Sequence, residues 1–364
     1  MKILYAIQGT GNGHVTRARE IVPLLKKDHD IEILISGIQA EVELPFEVKY
    51  CFHGLSFIFG KKGNVDVAET YRKSRLRRLM KDIKSLPVDK YDLVISDFEP
   101  VSSWACYFAG KPCISISHQA AVLNKNAPKS RNFDPIGKAI LRSYAPSTSQ
   151  YGFHFKSYDI NIFTPVIRAE VRIKESLNLG HYTVYLPAYD DARIIKILSL
   201  LEGVEWQVFS KHNKQSIRKG NVWIRPINNN EFIDSMSKAT GVFCGAGFET
   251  PAEAMFLKKK LMVIPMKGQY EQQCNAAALE EMGVPVIKSL KKKHLQKIKD
   301  WVLSGEVIPV NYPDITETVL RDIIAIEAKA RIDKMTLKGK QSDFQISDKT
   351  NFLKKLNKIA SGRF

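Results

Sequence analysis

The sequence predicts an α/β protein built from two doubly wound parallel-sheet domains. Three observations predict it. The chain has 364 residues, and a domain usually takes about 100–200. Short apolar runs alternate with amphipathic stretches in the first third and again after residue 180, the pattern of strand, crossover helix and parallel strand. In each half a glycine-rich turn joins an apolar run to a helical one, and in such sheets ligands lie outside the carboxyl ends of the strands.

The elements follow in order. Residues 3–7 read as a buried strand. Residues 14–27 read as a helix, with Val15, Ala18, Ile21, Val22 and Leu25 at helical spacing. Residues 31–35 form a second strand, 93–96 a third preceded by a helix, and 113–117 a fourth entered through Gly110-Lys111-Pro112. Between residues 120 and 160 Asn, Ser and Pro accumulate, which marks a boundary. The second half then gives strands at 182–186, 206–209, 222–224, 241–244, 261–264 and 286–287. Helices are expected at 191–201, 231–239, 250–256 and 272–282. The expected division is 1–155 for the first domain, 160–325 for the second and 326–364 for a basic helical tail.

Apolar residues make up 44% and charged residues 26% of the chain, which is ordinary for a folded protein and excludes a disordered chain or a collagen-like repeat. The five cysteines, Cys51, Cys106, Cys113, Cys244 and Cys274, form no metal spacing and no disulfide framework. Each has apolar neighbours, so buried free thiols in a reducing cytoplasm are expected. The apolar run at the N-terminus is too short for a signal peptide, and no run approaches the ~18–20 residues that span a bilayer. Lys and Arg number 55 against 38 Asp and Glu, a formal charge of +17. Such a charge suits an anionic partner or simply a lysine-solvated surface.

The first turn reads Gly9-Thr10-Gly11-Asn12-Gly13-His14. Glycines let a backbone approach a ligand, and a helix N-terminus attracts anions. A dinucleotide site fits poorly. His14 stands where a final glycine belongs, and the second strand ends at Ser36-Gly37 rather than at an acid. His14, as the first helical residue, is a candidate general base near neutral pH. Arg17, one turn on, is a candidate holder of a carboxylate or phosphate. The second turn reads Cys244-Gly245-Ala246-Gly247-Phe248-Glu249-Thr250-Pro251-Ala252-Glu253-Ala254. Thr250 is placed as N-cap, Pro251 at the first helical position and Glu253 two further on, a capping box. Further along, Glu271-Gln272 puts an acid beside an amide at another strand-to-helix turn, which suits several hydroxyls at once.

The order Gly-x-x-Thr-x-x-Glu-Ala, apolar strand, Pro, acid-Gln, Asn-Ala resembles the donor-site signature of GT-B glycosyltransferases. The similarity is to the branch with the bacterial muropeptide-lipid N-acetylglucosaminyltransferase, the diacylglycerol galactosyltransferases and the UDP-glucuronosyl and glucosyl enzymes. Gly9–His14 with Arg17 is similar to that group's Gly-x-Gly-His loop. Lys111-Pro112 through His118-Gln119 is similar to its cleft-facing His loop. The matches cover most of 1–290.

The resemblance implies a GT-B fold of two Rossmann-like doubly wound domains facing a central cleft, and transfer of a hexosyl group, with inversion, from a nucleotide diphosphosugar such as a UDP-sugar. It implies that Gly245, Ala246, Gly247 and Thr250 hold the diphosphate, Glu253 the ribose, and Glu271 and Gln272 the donor sugar. His14 would act on the acceptor hydroxyl, Asp97 would orient His14, and Gly11, Gly13, Arg17 and His118 would line the acceptor side. Asp97 also reads as a turn or cap residue. The loop after the second domain's first strand, Leu186-Pro187-Ala188-Tyr189-Asp190-Asp191, lacks the Gly/Ser-rich form of many relatives. No metal and no cofactor is expected, since the nucleotide sugar is a substrate and helix dipoles take a metal's part.

The surplus charge lies elsewhere. Arg72, Lys73, Arg75, Arg77, Arg78, Lys81 and Lys84 accompany an apolar stripe of Leu76, Leu79, Met80 and Ile83. Such a helix suits either an anionic membrane surface or ordinary packing by its stripe. From Arg331 on, the tail holds nine bases against three acids. The acceptor is therefore expected to be a lipid or a saccharide, in a cytoplasmic protein with a peripheral membrane position left open. A nucleotide-sugar epimerase or hydrolase on the same fold is the alternative. A basic nucleic-acid binder is the other, although no nucleic-acid motif is present and none is expected as partner.

Overall fold

In a doubly wound sheet both faces of each central strand are covered by helices, so strands must be apolar throughout. The strand Lys2-Ile-Leu-Tyr-Ala-Ile-Gln8 satisfies this, with six of its seven residues buried. A computed structural model of the chain describes residues 1–37, 44–54, 76–131 and 134–338. Among these residues lie two sheets. The first contains β1 (Lys2–Gln8), β2 (Asp30–Ser36), β3 (Tyr50–Phe52), β4 (Leu93–Asp97), β5 (Cys113–Ile116), β6 (Ser149–Phe153) and β7 (Ile162–Phe163) in the order β3-β2-β1-β4-β5-β6-β7. All its pairings are parallel. The second contains β8 (Tyr182–Tyr185), β9 (Trp206–Ser210), β10 (Ile217–Lys219), β11 (Val222–Pro226), β12 (Gly241–Gly245) and β13 (Lys260–Ile264), ordered β10-β11-β9-β8-β12-β13. Only β10 runs antiparallel to its neighbour.

Side-chain alternation on β1 sorts the core into two layers. Ile3, Tyr5 and Ile7 pack with Val15, Ala18, Ile21 and Val22 of the helix Asn12–Leu25. Leu4 and Ala6 pack with Val101, Trp104, Ala105 and Cys106 of the helix Pro100–Ala109. The first layer continues through Phe155, Ile167 and Val171 to Met236, Val242 and Cys244 of the second domain.

Several expectations are corrected. The first helix begins at Asn12, so His14 is its third residue. The first sheet takes in β7, so the first domain runs several residues past 155. The last helix, Thr316–Lys338, begins before 326 and returns to the first domain. There Lys27 meets Glu317 at 2.7 Å, Tyr151 donates to Glu327 at 2.9 Å, and Arg331 donates to the Asp92 carbonyl at 2.5 Å. Cys51, on the edge strand β3, is exposed, while the other four thiols are buried and all are free.

Of the basic segment, Arg72, Lys73 and Arg75 lie outside the described residues, as does most of the tail. The described part is the helix Leu76–Ser85. Its Leu79 and Ile83 are buried in the first domain's core, and Arg77, Arg78, Lys81 and Lys84 face solvent. Leu79, Met80 and Ile83 of its apolar stripe are thus taken up by packing. No helix among the described residues is long and apolar enough to cross a membrane.

Gly152 of β6 lets the short helix His118–Leu123 lie directly on the strand. A Cβ there would stand 2.6 Å from the Ala121 nitrogen and 2.8 Å from the Ala121 Cβ. Gly152→Ala should cost about 1–3 kcal/mol by urea unfolding, the usual range for overpacking. An unchanged midpoint would contradict this contact.

Candidate active site

Both domains place their loops where strand order reverses. In the first sheet β2 and β4 flank β1, and Asp97 pairs with Ile7 at the carboxyl ends of β4 and β1. In the second, β9 and β12 flank β8, and the Gly245–Phe248 turn leaves the end of β12. Such switch points open the crevice in which ligands bind.

The turn after β4 is shaped by three successive residues. Glu99 caps the helix Pro100–Ala109, accepting from the Val101 and Ser102 nitrogens at 2.7 and 2.6 Å. Phe98 adopts φ 57°, a left-handed conformation that costs a bulky residue about 1–2 kcal/mol. Asp97, freed from capping, turns to the helix Asn12–Leu25. Its Oδ1 lies 2.8 Å from His14 Nδ1. Arg17 donates to the same carboxylate from Nε at 3.1 Å and from Nη2 at 2.7 and 2.9 Å. The cap or turn role considered for Asp97 falls to Glu99 instead. Burial pushes the Asp97 carboxyl upward, but the Arg17 charge and the contacts with His14 outweigh it and hold the group below its ordinary value. With Nδ1 donating to Asp97, the His14 Nε2 lone pair faces the cleft. There it meets the Gln119 amide nitrogen at 3.3 Å.

Arg17 is 3% exposed. Its Nη1 reaches Glu249 of the second domain at 2.7 Å. Glu249 also sits against Gly13, where a Cβ would fall 2.6 Å from Oε2. Arg17 is therefore a buried bridge between two carboxylates rather than an open anion holder. His118 is likewise buried. Its Nδ1 lies 2.8 Å from the Phe153 carbonyl and its Nε2 2.8 Å from Asn275 Oδ1, and its ring stacks on Phe248 at 3.9 Å. Gly11 is exposed beside this cluster, at the start of the helix.

On the second domain, Ala246 is buried, and Gly245, Gly247 and Thr250 are partly exposed. The helix starts at Glu249 with Phe248 as its cap and no side-chain cap bond, so the capping box expected from Thr250 and Glu253 does not form. Glu253 is 2% exposed. Arg168 takes both its oxygens, Nε to Oε1 at 2.5 Å and Nη2 to Oε2 at 2.6 Å. Burial raises the Glu253 carboxyl above its ordinary value despite this partner. Gln272 Oε1 accepts from the Met266 nitrogen at 2.9 Å and so braces its own loop. Glu271 Oε2 accepts from Gln119 at 2.9 Å.

The structure brings His14, Asp97, Arg17 and Glu271 into one cluster and leaves Glu253 behind it. Glu249, Gln119 and Asn275 stand inside the motifs of the sequence analysis but carry no assigned role there, and Arg168 is not singled out at all. Nothing local marks Arg168, whose partner is 85 residues away.

Removing one member of a buried charged cluster leaves the others unpaired. Arg17→Met should cost about 3–5 kcal/mol by urea unfolding, and Glu249→Gln, on the more exposed flank, no more than about 1 kcal/mol. Equal losses would refute the buried bridge. Asp97 titrates lower in the folded than in the unfolded chain. Its stabilising contribution is whole above about pH 4 and fades as acid protonates it. Asp97→Asn should flatten that acid limb.

A sequence profile described as glycosyl transferase family 1 matches residues 1–304. A comparison with curated proteins gives no match. Among solved structures, the chain is similar to the glycosyltransferase SnogD from Streptomyces nogalater at TM-score 0.52 and 11% identity, over 89% of this chain and 99% of that one. It is similar to MurG of Acinetobacter baumannii at TM-score 0.52 and 14% identity, over 84% and 91%. Phytolacca americana UGT2, solved with UDP-2-fluoroglucose and pterostilbene, matches at TM-score 0.53 and 12% identity, over 99% and 98%. Two parallel-sheet α/β domains facing one another are the GT-B architecture of these structures. The chain belongs to glycosyl transferase family 1 and is a glycosyltransferase of the GT-B fold.

Proposed function

We propose that the protein moves a hexosyl group from a nucleotide diphosphosugar, a UDP-sugar, to an acceptor hydroxyl, inverting the anomeric centre without a metal. The observation that carries this reading is the His14–Asp97 contact of 2.8 Å at the mouth of the first domain, with Glu271 of the second domain one side chain away through Gln119. A UDP-sugar is chosen because a similar structure was solved with UDP-2-fluoroglucose.

In this reading Asp97 fixes the tautomer and tilt of His14. His14 Nε2 takes the proton of the acceptor hydroxyl as its oxygen bonds to the anomeric carbon from the face opposite the leaving group. The bond to the diphosphate breaks and its electron pair leaves with the nucleotide. The Gly245–Gly247 turn and Thr250, at the helix N-terminus, receive the developing charge. Glu249 stands beside that turn as a like charge, and its pairing with Arg17 removes most of the repulsion. Glu271 and Gln272 bind hydroxyls of the donor sugar. Glu253, with one Arg168 bond on each oxygen, meets the ribose hydroxyls with its remaining lone pairs. The acceptor is a lipid or a saccharide, and Arg77, Arg78, Lys81 and Lys84 supply an anionic membrane surface with a docking face.

A thermal-shift screen with UDP, GDP, TDP and their sugars tests the donor. No shift with any nucleotide would refute the reading. His14→Ala should lower transfer by about 10²–10⁴-fold, the typical worth of a general base, while keeping the nucleotide-induced shift. Glu271→Ala should raise the donor KM more than it lowers kcat.

A further inference from the structure

Gln119 is 4% exposed and touches both sides of the cleft through a single nitrogen. Its Nε2 lies 3.3 Å from His14 Nε2 and donates to Glu271 Oε2 at 2.9 Å. The orientation of the amide is fixed by these neighbours. Turned over, its oxygen would face the Glu271 carboxylate. In the orientation described, the Gln119 oxygen is buried and has no hydrogen-bond partner among the described residues. A buried acceptor left without a donor carries its desolvation cost uncompensated.

We propose that Gln119 masks the base: its amide holds the hydrogen-bonding position at His14 Nε2 that an acceptor hydroxyl must take, and the acceptor gains access only by turning it away. The inference rests on the transferase reading above. The unsatisfied oxygen makes the masked arrangement easy to leave, because a rotated amide can accept from a second hydroxyl of the acceptor while the reacting one donates to His14. Water can hydrogen-bond both groups but has no contacts elsewhere in the cleft, whereas an acceptor adds the binding energy of its remaining surface to hold the amide aside. Masking therefore favours transfer over hydrolysis. In hydrolysis a water oxygen bonds to the anomeric carbon, its proton passes to His14 Nε2, and the anomeric carbon–oxygen bond breaks with its electrons leaving on the nucleoside diphosphate. The other charged groups around the imidazole are Asp97 and Arg17, which meet Nδ1 independently of Gln119, and Glu271, which loses its Gln119 bond when the amide is removed.

Two readouts test this on the full chain. In protein without added ligand, the ¹⁵N resonance of His14 Nε2 should move downfield in Gln119→Leu, because the lone pair loses its donor. Gln119→Asn, one methylene shorter, should move it the same way and serves if the leucine variant does not fold. With UDP-sugar, the ratio of hydrolysis to transfer should rise about tenfold, the worth of one hydrogen bond. An unmoved resonance overturns the contact whether or not any sugar is transferred. A moved resonance with an unchanged ratio overturns the masking role. A wild-type protein that turns over no nucleotide sugar overturns the transferase reading and masking with it, while the resonance still reports the contact.

Discussion

Arg17 carries its charge into a site that water scarcely reaches. Desolvating a guanidinium costs several kcal/mol unless anions meet it at close range. Asp97 and Glu249 meet it from opposite sides, at 2.7 Å each. One carboxylate ends a strand of the first domain and the other opens a helix of the second, so the arginine is satisfied only when the two switch points face one another. The geometry of His14 follows, because Asp97 cannot hold Arg17 without also presenting Oδ1 to the imidazole.

That constraint explains local features that look costly alone. The left-handed Phe98 lets the chain place Asp97 in the cleft and Glu99 on the next helix within three residues. Its ring then stacks on Tyr144 at 4.7 Å and joins Tyr270 and Cys274 of the second domain in one apolar cluster, so packing offsets the backbone strain. Gly13 has a similar logic, since any side chain there would displace Glu249 from Arg17.

How much of this could be read from the sequence depends on how local each signal is. The central strands were legible because parallel strands covered on both faces are short unbroken apolar runs, as in β1, β4 and β12. The short helix His118–Leu123 and the strands β6 and β7 were not. They lie in the turn-rich stretch after residue 117 and are held by contacts with distant segments. His14, Asp97 and Glu271 stand out in the sequence because each ends or follows a strand within a recognisable motif. The pairings that decide their surroundings were invisible. Arg17 to Glu249 spans 232 positions, and His118 to Asn275 spans 157.

The same view changes the meaning of Glu253. Glu249 and Glu253 are one turn apart on the helix Glu249–Phe256, where like charges repel by a few tenths of a kcal/mol. Each has its own arginine: Arg17 in front, from the first domain, and Arg168 behind, from the segment that joins the domains. The helix beneath the glycine turn is thus gripped at both ends of its acidic face by residues outside its own sheet. The glycine turn is thereby tied to the first domain and to the joining segment by two ion pairs on one helix, and breaking either leaves a charge that the protein has taken out of water without its partner.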